Sequence, residues 1–204
     1  MNVIVGKACG IRKDILFKMY EMRHEIFKVR MKWDVVERMP GIECDEFDDY
    51  DPLYGICVDS LSSSEIVILG CWRLLPTTGP YMLRDVFSFL LNGHPPENDA
   101  RVWEISRFGV VADDGRGKIS DSTISEATRL LLAELFKLGV QQSIYKFVAC
   151  SDIRFHRILR IAGINVGTYG PSMPIGNTIA VGGWADVNDH LRLAGKPNNL
   201  KIAA

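Results

Sequence analysis

Apolar residues recur along the chain in two periods, and the switches between them mark out most of its elements. Ile15, Met19, Met22 and Ile26 stand at helical spacing, which predicts an amphipathic helix from about Lys13 to Lys28, with Arg23 and Phe27 on a second stripe. Between Lys32 and Asp51 the chain is polar, acid-rich and broken by Pro40 and Gly41, so it reads as a long loop with at most one short helical turn. Runs from Leu53 to Asp59, Ile66 to Leu75 and Val102 to Val110 predict strands, the first two joined as an antiparallel hairpin through Ser62, Ser63 and Ser64.

The second half is more regular. Thr123 followed by Glu126 forms a capping box, Ile124, Ala127, Leu131, Leu135 and Leu138 hold a helical stripe, and Gly139 is expected to stop it. A strand from Ile144 to Cys150, a helix from Ile153 to Ala162 ended by Gly163, a strand from Asn177 to Trp184 and a short helix after Asp186 follow. This order predicts a single α/β domain, a three-layer sandwich. Its mixed, mostly antiparallel sheet has the antiparallel part first and the parallel part later, with helices on both faces.

Composition narrows the class. With 204 residues, 47% of them apolar, one substantial core is expected, and a formal charge of -1 argues against a general nucleic-acid binder. No stretch approaches the roughly 20 apolar residues of a membrane span, and the N-terminus lacks the apolar core of a signal peptide, so a cytoplasmic protein without membrane contact is expected. Cys9, Cys44, Cys57, Cys71 and Cys150 form no CxxC pair and have no histidine in ligand spacing, which predicts neither disulfides nor a metal site.

Charged residues inside apolar, strand-like sequence change the picture. Arg73 opens the block RLLPTTGPYML, Arg73 to Leu83, and Glu104 and Arg107 lie within WEISRF, Trp103 to Phe108. Buried ions are tolerated only when paired or employed, and Glu43, Asp45 and Asp48 are available as partners. Glu104, flanked by the bulky Trp103 and Ile105, suits a general base with a raised pKa; the alternative is a fixed ion pair with Arg107 or Arg73. Positions three apart in a regular strand face opposite ways, so Glu104 and Arg107 share a cleft only if a bulge lies between them. Ser106 is not in a G-x-S-x-G elbow, and His24, His94, His156 and His190 have no convincing nucleophile partner, Cys150 being a weak one for His156, so direct transfer is simpler than an acyl-enzyme.

Taken in order, these residues resemble a known family. Arg23, Phe27 and Trp33, then the E-x-D-x-F-D of Glu43 to Asp48, then RLLPTT and WEISRF are similar to the acyl-homoserine lactone synthases of the LuxI type, which make quorum-sensing autoinducers. The resemblance implies a fold like that of the GNAT acetyltransferases. It also implies an acyl transfer from a thioester to the amine of S-adenosylmethionine, followed by lactonisation and release of methylthioadenosine, with no further cofactor. The donor is acyl carrier protein, or alternatively coenzyme A, since DDGRGK, Asp113 to Lys118, lacks the full glycine spacing of a coenzyme A loop. A monomer is expected.

By the same resemblance Glu104 is the base, and Asp45, Asp48, Arg73 and Arg107 form one electrostatic cluster. Arg23, Phe27 and Trp33, with Arg107, hold S-adenosylmethionine under a mobile lid of about residues 20–50; for Trp33 the alternative is a packing anchor. Met82, Leu83, Phe87, Phe147 and Ala149 are candidates to line the acyl pocket, or are simply core. A threonine on this strand accompanies 3-oxo substrates in related enzymes; here Ala149 and Ser151 stand in its vicinity, so the resemblance does not carry a 3-oxo preference over to this chain. Lys146, Arg154, Arg157 and Arg160 form a basic face that either meets the acidic carrier protein or is merely solvated. Two rivals remain: an ordinary N-acyltransferase of the same fold that uses acyl-coenzyme A, and a non-catalytic small-molecule sensor.

Overall fold

The structure, a computed structural model, describes residues 1–59, 66–111, 125–161 and 163–187. Among them the strands β1 (Asn2–Lys7), β4 (Leu53–Val58), β5 (Ile68–Pro76), β6 (Val102–Val110), β7 (Lys146–Asp152), β10 (Thr178–Asp186) and β8 (Val166–Thr168) lie side by side in that order. β9 (Met173–Ile175) also pairs with β10, and β2 (Glu37–Met39) with β3 (Ile42–Glu43) makes a separate small hairpin. The expected sandwich is present, but only β6 and β7 are parallel; β7 and β10 are antiparallel, so the later part of the sheet is not a parallel block.

Two helices bury their stripes on opposite faces. α1 (Lys13–Arg23) sets Ile15, Met19 and Met22 against Tyr54, Ile56 and Cys71, and widens at its end into a π-helical turn, His24–Arg30. There the Met31 N–H reaches back five residues to the Ile26 carbonyl at 3.0 Å, a geometry that recurs where helices serve sites. α3 (Glu126–Gln141) packs Leu131, Leu135 and Phe136 on Trp72, Leu74 and Phe147, burial that contributes roughly 1.5–3 kcal/mol per large side chain. Trp72 reaches α3 across β4 at Gly55, where a Cβ would stand 2.2 Å from the indole.

Several expectations shift. Thr123 and Ile124 lie outside the described residues, and the N-cap of α3 is Ser125, whose Oγ accepts the Thr128 N–H at 3.1 Å. Gly139 does not stop this helix, which runs on to Gln141; it is small because Phe147 and Val187 come within 3.0 and 3.1 Å of where its Cβ would be. α4 (Ile153–Ile161) sits as expected, and Gly163 follows it at φ 78°, a left-handed conformation natural to glycine. β8, β9, the short helix α2 (Met82–Asp85) and the 3-10 turn Ser88–Leu91 were not expected, being too short for a periodic signal; β1 was not expected either, although it is as long as β4 and carries the β-branched run Val3, Ile4 and Val5. The Ser62–Ser64 turn, the DDGRGK segment, Ala162, His190 and a helix beyond Val187 lie outside the described residues.

Candidate active site

The bulge that the charged positions demanded is present on β6. Between the pairs Arg73–Ser106 and Cys71–Gly109 the β6 strand carries one residue more than β5, and Arg107 sits there at φ 52°. Alternation is reset, so Glu104, Ser106 and Arg107 all face the α1–α2 side, while Ile105 and Phe108 face α3 and α4. The left-handed conformation is uncommon for a non-glycine residue and is held here by the guanidinium's own partners.

Those partners form a closed network of three guanidiniums and three carboxylates. Arg23 meets Glu43 at 2.5 Å and grips Asp48 with both terminal nitrogens at 2.9 and 3.0 Å. Arg73 takes both oxygens of Asp45, reaches Asp48 at 3.0 Å and donates from Nε to Ser106 Oγ at 3.0 Å. Arg107 donates to Glu43 at 2.8 Å and to Asp45 at 2.7 Å. Asp45 and Asp48 also build the capping box of the 3-10 turn Glu46–Asp49, and Tyr54 donates to Asp48 at 2.8 Å. The long loop is thus fastened to the sheet by ions that leave the cluster neutral as a whole. Burial pulls the Glu43 and Asp48 carboxyls upward, but the Arg23, Arg107 and Arg73 charges outweigh it and hold both below the ordinary carboxylate range. Arg107 and Asp45, with side chains 7% and 5% exposed, are its outermost members; Arg23, Arg73 and Glu43 are fully buried.

Glu104 stands apart from this network. Its carboxylate accepts the backbone N–H groups of Met82 at 2.9 Å and Leu83 at 2.6 Å, at the start of α2, and no guanidinium pairs with it among the described residues. Burial to 1% exposure pushes its pKa up to about 7, against the opposing pull of those two N–H groups and of Arg73 and Arg107. The fixed ion pair that was its alternative is therefore not what the fold builds. A carboxyl that titrates near neutrality is suited to moving a proton at working pH.

Over the cluster, Phe27 and Trp33 stack with centroids 5.3 Å apart, and the Arg107 guanidinium lies 5.6 Å from the Phe27 ring. Trp33 Nε1 donates to Thr178 Oγ1 on β10 at 2.7 Å, joining positions 145 residues apart. Arg23, expected with these aromatics on the lid, lies beneath them as a buried ion.

The proposed acyl residues are divided. Met82, Leu83 and Phe87 lie on the Glu104 face, with the Met82 sulfur 3.2 and 3.3 Å from Arg73 and Arg107. Phe147 instead packs edge-on against Phe136 under α3, and Ala149, two residues on, shares that opposite face. Alternation along β7 separates the two groups, so they do not line one wall. Between them the sheet parts: β6–β7 pairing stops at Glu104–Val148 while both strands run on. Of the basic face, Lys146 is tied to Glu97 at 2.7 Å and Arg154 to Asp152 at 2.5 Å; with Lys146 on β7 and held elsewhere, the four cations do not make one patch.

Sequence reasoning missed Thr178, Tyr54 and the Met82 and Leu83 amides. Ser106 had a signal, since it lies two positions from Glu104 on a strand. Nothing local marks the others. Among the described residues no helix is long and apolar enough to cross a membrane, and no group of histidine, cysteine and carboxylate side chains is arranged to hold a metal.

Comparison with known proteins agrees with the geometry. A profile of the autoinducer synthase family matches residues 10–193. An acyl-homoserine-lactone synthase of Pseudomonas aeruginosa is 30% identical over 95% of this chain and 93% of its own, and one of Aliivibrio fischeri is 33% identical over 95% and 98%. The crystal structure of the AHL synthase LasI superposes with a TM-score of 0.78 at 29% identity, covering 92% of this chain and 90% of that one. The chain belongs to the autoinducer synthase family, the acyl-homoserine-lactone synthases.

Proposed function

We propose that Glu104 is the general base of an acyl transfer carried out beside the guanidinium–carboxylate cluster. Family membership supplies the reaction: an acyl thioester and S-adenosylmethionine give an acyl-homoserine lactone. In the first step the methionyl amine, deprotonated directly or through one water by Glu104, attacks the thioester carbonyl; the C–N bond forms, and the thiolate leaves and takes up a proton. In the second the methionyl carboxylate attacks its own γ carbon, the C–S bond breaks, and methylthioadenosine departs. The sulfonium is already an activated leaving group, so this step asks only for orientation.

The observation that carries the assignment of the base is Glu104 itself: fully buried, unpaired by any described guanidinium, and raised to about 7 by desolvation. Arg107, the outermost cation, takes the methionyl carboxylate through Nη1, which among the described residues meets only the Met82 sulfur while Nε and Nη2 are held by Glu43 and Asp45. Asp45 offers negative charge to the ammonium or sulfonium, and Phe27 with Trp33 covers the ligand. Arg23, Arg73, Glu43 and Asp48 hold these groups in position. The acyl chain enters where β6 and β7 separate. Acyl carrier protein is the proposed donor.

Incubation with S-adenosylmethionine and matched acyl groups on carrier protein or on coenzyme A tests this, with products read by mass spectrometry. Methylthioadenosine and acyl-homoserine lactone are expected, faster from the carrier protein. Acylated S-adenosylmethionine without methylthioadenosine would mark an ordinary N-acyltransferase, and no product from any donor would overturn the reading.

A further inference from the structure

The two amides that hold Glu104 belong to a helix too short to hold itself. α2 has four residues, about one turn, and a single turn is unstable in water without outside support. The direction of the Met82 and Leu83 N–H groups is therefore set by what fastens the residue before them, the fully buried Tyr81.

Tyr81 is fastened at three points. Its N–H donates to Asp85 Oδ2 at 3.0 Å, its carbonyl accepts the Asp85 N–H at 3.0 Å, and its phenol donates to the Glu97 carbonyl at 2.8 Å. The carbonyl of Tyr81 and the N–H of Met82 share one planar peptide, so fixing the first aims the second. Glu97 is tied down in its turn. One carboxylate oxygen accepts Lys146 Nζ at 2.7 Å, at the start of β7, and the Tyr169 hydroxyl at 3.0 Å, just after β8. Tyr169 donates its N–H to the Gly182 carbonyl of β10 at 2.9 Å, and its ring lies 5.7 Å from that of His94. A chain of hydrogen bonds thus runs from β7 and β10 through Glu97 and Tyr81 to the Glu104 carboxylate.

We infer that Tyr81, secured by Glu97, is a positioning residue for Glu104, fixing the peptide that turns the Met82 and Leu83 amides onto its carboxylate. The inference rests on Glu104 as the base. Both amides favour the ionised, proton-accepting form against the burial that opposes it, so loosening them leaves a base that ionises only at higher pH. The other groups acting on this carboxyl are Arg73 on β5, Arg107 on β6, Tyr81 and Arg84 at α2, and Cys150 on β7. Tyr81→Phe alters none of their charges, because burial pushes the phenol up to about 12 and it is neutral at working pH.

The test follows kcat for methylthioadenosine release at two pH values. Tyr81→Phe is expected to run about three- to eightfold below wild type at about pH 6.5 and within about twofold of it at about pH 8.5. Ionisation of the substrate amine is common to both proteins and cancels in the comparison. Glu97→Ala should move the profile in the same direction, and Glu97→Gln, which keeps an acceptor for Tyr169 and Lys146, should restore most of it. Thr77→Val is the contrast: it removes hydrogen bonds to the Asp99 carbonyl and N–H at 3.0 and 3.1 Å, away from α2, and any loss of kcat should be the same factor at both pH values. A Tyr81→Phe that behaves in that way, or that matches wild type throughout, overturns the inference and leaves the proposed function intact. A wild-type kcat that does not rise through about pH 7 refutes Glu104 as the base instead. NMR of the labelled carboxyl carbon, in the resonance missing from Glu104→Gln, then decides the inference: a higher titration midpoint in Tyr81→Phe than in wild type supports it, and an equal midpoint refutes it.

Discussion

Replacing Glu104 by glutamine separates its chemistry from its place in the fold. The carboxylate accepts two backbone N–H groups, from Met82 and Leu83. A glutamine keeps one acceptor and turns an NH2 group towards the other N–H, an uncompensated donor worth about 1–3 kcal/mol. Against this, the wild-type carboxyl has its folded pKa raised from 4.5 to about 7, so its favourable contribution is complete below about 4.5 and is lost as pH rises through about 7. Between about pH 5.5 and about pH 8 the wild type should therefore lose about 2 kcal/mol from this group alone, which the glutamine variant does not lose. The stability difference between the two proteins should narrow by that amount at the higher pH, roughly 4–8 °C in relative Tm for a chain of this size. Thermal melts of both proteins at the two pH values measure it. Turnover should fall by roughly 10²–10⁴ in the variant, and the rise of wild-type kcat through about pH 7 should disappear. A stability difference independent of pH would show that burial does not raise this carboxyl. Near-normal turnover would remove Glu104 from the role of base.

Three further outcomes follow from the same geometry. Arg73→Met leaves Asp45 with Arg107 alone and Asp48 with Arg23 alone, a buried cluster one positive charge short, and should cost about 3–5 kcal/mol in urea melts, whereas breaking the exposed Arg12–Asp14 pair should leave the melt nearly unchanged. Trp33→Phe keeps the stack on Phe27 but loses the Thr178 hydrogen bond; KM for S-adenosylmethionine should rise about five- to tenfold, and an unchanged KM would detach Trp33 from that ligand. Gly55→Ala drives a Cβ to 2.2 Å from the Trp72 ring and should lower stability by about 3 kcal/mol, while Gly10→Ala, with open space around it, should be nearly silent in the same melts.

The chain announced its strongest elements through local pattern alone. β6 runs from Val102 to Val110 as the alternation indicated, and α3 and α4 follow their stripes closely, because side-chain periods of 2.0 and 3.6 are properties of a few consecutive residues. The charges at Arg73, Glu104 and Arg107, misplaced for an ordinary core, marked the site, and Glu43, Asp45 and Asp48 were its partners. What tertiary structure decided was direction and partnership. A one-residue bulge at Arg107 turned that side chain onto the face of Glu104, and the amides opening α2, not an arginine, took the Glu104 carboxylate. Alternation on β7 sent Phe147 and Ala149 to the opposite face, and Trp33 found Thr178 across 145 residues. Register, strand separation and long-range hydrogen bonds depend on how distant segments pack together. No window of neighbouring residues carries that information, whereas the burial cost of an ion is written at the position itself.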